Sequence, residues 1–126
     1  NAIPVISFSG FDSAELHAVI VEEYNNNGGF DHLLSSHVYS KAPMPGPDTM
    51  QLADSSIVLS YFSDFIIRIP TVAREWRITG IAADRKSTKG NDICTNGVGY
   101  YINGYRYQIP ADYTARDKTA VIIISK

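Results

Sequence analysis

Tyr100-Tyr101-Ile102-Asn103-Gly104-Tyr105-Arg106-Tyr107 is the stretch whose reading decides the fold. Asn-Gly between alternating residues is the preferred two-residue type I′ hairpin turn, because both positions tolerate positive φ. A two-residue loop forces the register. Ile102 opposes Tyr105, Tyr100 opposes Tyr107 and Val98 opposes Ile109 on one side of the ribbon. Tyr101 opposes Arg106 and Gly99 opposes Gln108 on the other. The first set is apolar and predicts a core face. The second predicts a solvated face on which Tyr101 and Arg106 form a cation–π pair.

The same period of two runs outward from the hairpin. Strands are expected at Ile3 to Phe11, Ser13 to Tyr24, Ser56 to Ser63, Asp64 to Ile69, Glu75 to Ala83 and Thr119 to Ser125. Ser63-Asp64 predicts a tight turn that sets Phe62 against Phe65 and Val58 against Ile69. Trp76, Ile78 and Gly80 share one face of their strand. Val121-Ile122-Ile123-Ile124 is apolar on both faces, which predicts a strand covered on both sides. Asp12-x-x-Glu15 has the spacing of a helix capping box, yet β-branched Val19-Ile20-Val21 favours a strand for 13–24. Asn25 to Gly29 predicts a turn. Phe30, Leu33, Leu34 and His37 fit a turn or two of helix, or an irregular lead into a strand at 36–39. Pro43, Pro45 and Pro47 predict an extended, exposed loop over Lys41–Asp48. Asp84–Gly97 is polar and glycine-punctuated and predicts a long loop, and Pro110 ends the hairpin.

Seven or eight short strands without a long helix predict one all-β domain over residues 1–126, since a parallel sheet needs crossover helices that this pattern lacks. The architecture expected is a single antiparallel β-sandwich, immunoglobulin-like or transthyretin-like. With 126 residues and 44% apolar content the chain can bury a core without a disulfide or metal staple. A formal charge of −2 argues against a nucleic-acid partner and against a polybasic membrane surface. No apolar run approaches the length of a membrane span. The single cysteine, Cys94, cannot form an internal disulfide. Lys86, Lys89 and the histidines are its nearest candidates for activation, none in a recognisable motif with it. A thiol tucked under a loop is the plainer expectation.

Chemistry-bearing patterns are sparse. The sequence holds neither a phosphate loop, an HExxH, a CxxC nor a GxSxG motif. His17, His32 and His37 would make a zinc site only if the fold gathered them. Asp12 with Glu15, Glu22 with Glu23, and Asp84 with Asp92 lack the DxDxDG spacing of a calcium loop. No catalytic residue, metal ligand or cofactor is therefore assigned. The candidate binding residues are Tyr101, Arg106, Trp76 and Tyr61. Most of the aromatics are expected in the core, and an exposed aromatic patch would shift that reading towards a binding platform.

Ile6 to Glu15, followed by Val19-Ile20-Val21, Tyr24 and Gly29-Phe30, has a familiar cast. So do Asp64 to Pro70, Trp76 to Ile81, and Cys94 shortly before a hairpin. Together these segments resemble small, uncharacterised cell-envelope lipoproteins of Bacteroidetes-type bacteria. The resemblance implies export to the envelope or secretion, with a lipidated cysteine upstream of Asn1, and supplies no catalytic residue. The function expected is a non-enzymatic binding or scaffolding module with a protein or glycan partner. The alternatives are a carbohydrate-binding module using exposed aromatics, and a small hydrolase or enzyme inhibitor acting through the loops Lys41–Asp48 or Asp84–Gly97.

Overall fold

The structure is a computed structural model that describes residues 2–87, 94–109 and 119–126. Its strands are β1 (Ile3–Ser9), β2 (Val19–Asn25), β3 (Leu33–Ser40), β4 (Thr49–Gln51), β5 (Ser63–Ile69), β6 (Arg74–Ser87), β7 (Cys94–Ile102), β8 (Tyr105–Ile109) and β9 (Thr119–Ser125). They form a seven-stranded sheet in the order β4-β3-β2-β5-β6-β7-β8 and a two-stranded sheet of β1 and β9. The protein is an all-β sandwich, with nine strands among the described residues where the sequence suggests seven or eight. Two of its pairings, β1 with β9 and β3 with β4, are parallel.

The Asn-Gly reading holds. β7 and β8 pair from Ile102↔Tyr105 to Val98↔Ile109 in the expected register. Asn103 and Gly104 both have positive φ, +51° and +85°. Asn103 also ties the turn to β6, accepting from the Arg77 N–H through Oδ1 at 2.9 Å and donating its own N–H to the Arg77 carbonyl at 2.9 Å.

The core lies between the two sheets. Val19, Val21, Phe65, Ile67, Ile78, Val98 and Tyr100 of the large sheet meet Ile6, Ala120, Ile122 and Ile124 of the small one. Fully burying one such side chain contributes roughly 1.5–3 kcal/mol. β5 lies mid-sheet between β2 and β6 and is buried on both faces, so it carries the near-continuous apolar run Phe65-Ile66-Ile67.

Several expectations are corrected. Ser56 to Ser63 does not form a hairpin with β5. Ile57 and Leu59 point inward, as the alternation requires. Their partner is β1: the Ile6 N–H donates to the Ile57 carbonyl at 3.0 Å and the Leu59 N–H to the Pro4 carbonyl at 2.9 Å, around the bridge Val5↔Val58. Phe62 is exposed, and Ser63 begins β5. Period two identifies which residues point inward but not which strand lies beside them.

Residues 13–24 are not one strand. The capping box forms, with the Asp12 N–H bonded to Glu15 Oε1 at 3.0 Å and the Glu15 N–H to Asp12 Oδ1 at 2.8 Å. It starts only one 3-10 turn, Glu15–His17, before β2. No helix forms at Phe30–His37; Leu33 onward is β3. Residues 84–87 and 94–97 are not loop either. They extend β6 and β7, paired from Asp84↔Gly97 to Ser87↔Cys94. Residues 88–93 and Pro110 lie outside the described residues, as does the setting expected for the Cys94 thiol. Lys41–Asp48 is irregular and mostly exposed, as its prolines predict.

β6 breaks its alternation once. The β6–β7 register shifts between Thr79 and Ala82, where Gly80 has φ +61°. Such a bulge inserts an extra residue and reverses the inward–outward phase of the strand beyond it. Trp76 and Ile78 therefore point inward, Gly80 does not, and Ile81 is the next buried residue. β9 is also not covered on both faces. Val121 and Ile123 are exposed on the side of β9 away from the large sheet.

Candidate functional site

The four residues singled out in the sequence do not converge. Tyr101 and Arg106 face each other on the outer side of the large sheet, with the guanidinium carbon 5.9 Å from the ring centre, so the expected cation–π pair exists. Trp76 alternates with Ile78 on the opposite, core side and is buried. Its ring meets Phe11 edge-on at 5.8 Å, and the Arg74 guanidinium lies 4.8 Å from its centre. Tyr61 is half-buried against the core and donates its hydroxyl to the Ala2 carbonyl at 2.5 Å, anchoring the segment before β5 to the start of β1. Burial pushes its phenol pKa up.

The hairpin does present aromatics to water, on the face expected to be core. Tyr100 is 6% exposed, but Tyr105 is 73% and Tyr107 is 47% exposed. The physical reason is coverage. β8 is the edge strand of a seven-stranded sheet, and a two-stranded sheet is too narrow to roof it completely. Tyr107 is held there by stacking on buried Tyr100, ring centres 5.6 Å apart and planes within 12°. Burial raises the Tyr100 pKa, and its neighbour Tyr107 adds to that.

Tyr105 and Tyr107 line an open groove of about 280 Å³ between β8 and β9. Trp76 and Ile102 are at its base, Arg74 and Asn103 at one flank, and Ile123 and Ser125 at the other. Among the described residues the groove is lined by one cation and no carboxylate, and Arg74 has no ion-pair partner there. Arg74 also borders a second concavity of about 360 Å³ with Arg68, Pro70, Ala73 and Glu75, where the chain turns from β5 into β6. Ile123 is also one of the exposed aliphatic residues, with Ile3, Val58 and Val121, on the outside of the small sheet. The site thus offers one aromatic ring fixed by stacking, a second exposed ring, a guanidinium and amide and hydroxyl groups in a shallow trough. Such a surface suits a ligand with apolar faces and polar edges.

The outer face of the large sheet is organised by charge. Arg68 bridges Glu22 at 2.7 Å and Glu75 at 2.6 Å, and the bond to Glu22 is the main reason its pKa is raised. The segment after β2 folds back over this face. Phe30 meets Tyr24 edge-on at 5.4 Å and lies under the Arg77 guanidinium at 5.1 Å. The Gly28 N–H donates to buried Asp64 at 3.0 Å. These contacts pair the charged groups of this face with one another, and the concavity beside Arg68 and Glu75 lies at its edge.

His17, His32 and His37 are not gathered, and no group of three metal-ligating side chains converges among the described residues. Asp12 and Glu15 are spent on the capping box, with Lys126 paired to Glu15. Glu22 and Glu23 point to opposite faces, Glu22 to Arg68 and Glu23 to Ser35 and Ser63. Asp92 lies outside the described residues. No helix among the described residues is long and apolar enough to cross a membrane. No protein-family model matches the chain, and no match is found among curated proteins or solved structures.

The sequence reading found the right hairpin and its core-facing side, but buried Tyr105 and Tyr107, which that side leaves exposed on β8. A pairing pattern shows which tyrosines share a side. It does not show that β8 is an edge strand, and only that makes Tyr105 and Tyr107 accessible. Arg74 was missed because no alternation argument distinguishes a groove-lining arginine from a solvated one.

Proposed function

We propose that this protein is a non-enzymatic binding module of the cell envelope or the secreted space, and that its ligand is an oligosaccharide held in the Tyr105–Tyr107 groove. The observation that carries this reading is the exposure of both tyrosines beside an open trough, with Tyr107 pre-positioned on buried Tyr100. Sugar rings present C–H faces that stack on aromatic faces, and their hydroxyls take hydrogen bonds from guanidinium, amide and hydroxyl groups. Arg74, Asn103 and Ser125 supply those groups here. A ring already fixed by its neighbour loses little conformational freedom on binding, which favours affinity.

A glycan array followed by calorimetry on the hits tests this. Tyr107→Ala is expected to weaken binding at least ~tenfold, equivalent to ~1.4 kcal/mol. Tyr101→Ala, on the far face, is expected to leave it unchanged, and the saccharide should be recovered intact. An array without hits, or a larger loss from Tyr101→Ala than from Tyr107→Ala, refutes the reading. The exposed aliphatic residues Ile3, Val58, Val121 and Ile123 favour a second reading, a protein-scaffolding role through the small sheet, because exposed apolar surface gathered on one face marks interaction sites. Failure of the array together with loss of a specific protein complex on Ile123→Lys would select it.

A further inference from the structure

The seven-stranded sheet has one edge that is only partly closed. β3 is eight residues long, and β4 covers just its end, pairing Val38↔Thr49 to Ser40↔Gln51. Along Leu33 to His37 no strand lies on the side away from β2 among the described residues. Unpaired strand edges are templates for another strand, and proteins usually blunt them with lysine, proline or charge. Leu33-Leu34-Ser35-Ser36-His37 contains none of Asp, Glu, Lys, Arg or Pro, and Leu33 and Leu34 are each about half exposed.

We propose that this edge pairs with the same edge of a second copy of the chain, joining two large sheets across a two-fold axis. Two observations select that occupant. The window carries no formal charge from carboxylates, lysine or arginine, so self-pairing sets no such like charges opposite one another, whereas a charged partner strand would find no counter-charge. β4 blocks any strand that runs on past Val38, so the occupant must stop pairing there. A second copy does so, because its β3 begins at Leu33, which this register sets opposite His37. An antiparallel pairing centred on Ser35 then fills the window completely. Leu33 lies opposite His37 of the second copy and Leu34 opposite Ser36 of the second copy. Such a self-complementary contact is closed at two subunits and does not propagate. It uses a surface distant in strand order from the β8–β9 groove and stands independently of the glycan reading.

Sedimentation equilibrium across a range of concentrations tests the native chain, which should show a reversible monomer–dimer equilibrium. The double variant Leu34→Glu with Ser36→Glu sets like charges opposite at every 34–36 pair, and Leu34→Lys with Ser36→Lys does the same with the other sign. Each is expected to weaken dimerisation at least ~tenfold, since like charges directly opposite destabilise a strand pair. Mixing the two variants places Glu opposite Lys and should restore dimers, now heterodimers. Circular dichroism melts confirm that each variant is folded. A native chain that stays monomeric at high concentration overturns the proposal. So do folded double variants that dimerise like the native chain, or a mixture that stays monomeric.

Discussion

Replacing Gly80 by alanine should cost distinctly more than replacing Gly104 by alanine, although both glycines have positive φ. At Gly104 (φ +85°) the added Cβ meets nothing within 4 Å, so only the backbone penalty applies. An L-residue in this region costs about 1 kcal/mol. At Gly80 (φ +61°) the same penalty applies, and the new Cβ would lie 3.0 Å from Cδ1 and 3.3 Å from Cε1 of Tyr101. The ring, which also contacts Arg106, must give by a few tenths of an ångström. A full ~30° departure from the rotamer would cost roughly 0.5–1.5 kcal/mol, which bounds the cost of this smaller shift at about 1 kcal/mol. The expected losses are therefore ~1 kcal/mol for Gly104→Ala and ~2 kcal/mol for Gly80→Ala. Urea unfolding measures both. With a slope of ~2 kcal/mol per molar, the midpoints fall by ~0.5 M and ~1 M at unchanged slope. Adding Tyr101→Ala to Gly80→Ala should return the steric share, a coupling of ~1 kcal/mol. Equal losses for the two glycines, or no coupling to Tyr101, would refute both the bulge geometry and the placement of the tyrosine ring against it.

Ile122→Ala should cost ~2–4 kcal/mol, because its side chain is fully buried between the sheets, while Ile123→Ala should stay within ~0.5 kcal/mol; urea midpoints decide whether β9 really has one inner and one outer face. The Glu15 pKa is lowered by its bond to Lys126 and then by the Asp12 N–H. A depressed carboxylate pKa contributes stability that is present above the ordinary glutamate value of about 4.3 and is lost as pH falls through the folded-state value. The urea midpoint of the native chain should thus drop on acidification below that point, and Glu15→Gln should show a shallower drop. Burial raises the phenol pKa of Tyr39, Tyr61 and Tyr100. A spectrophotometric alkaline titration should show a fraction of the eight tyrosines ionising later than in the urea-unfolded chain. Simultaneous ionisation of all eight would contradict the burial assigned to those three.

How much of the fold was legible in the sequence depends on the range of each signal. Asn103-Gly104 sets its own turn and register, so five cross-strand pairs could be written down in advance. Asp12 and Glu15 likewise find each other across three residues, although what they cap is a single turn. Long-range partners leave no such mark. The alternation of Ile57 and Leu59 is real, but the choice of β1 over β5 as neighbour is made by the assembled core. Gly80 was readable in principle, since an isolated glycine inside a strand signals a bulge. The accessible groove was not, because exposure of Tyr105 and Tyr107 depends on how far a distant two-stranded sheet extends across the edge.

The parallel match of β1 with β9, in step from Ile3↔Thr119 to Ser9↔Ser125, also governs how the domain bears load. A tether drawing Ile3 one way and Ser125 the other would slide the two strands lengthwise against each other. All the rungs between them would then be strained together instead of opening one after another, as they would in a peeled antiparallel hairpin. Rupture requires that whole ladder to fail at once, and the rate of that event sets resistance to forced unfolding. The protein is thereby built to hold when stretched along this axis and to open far more readily when pulled across it.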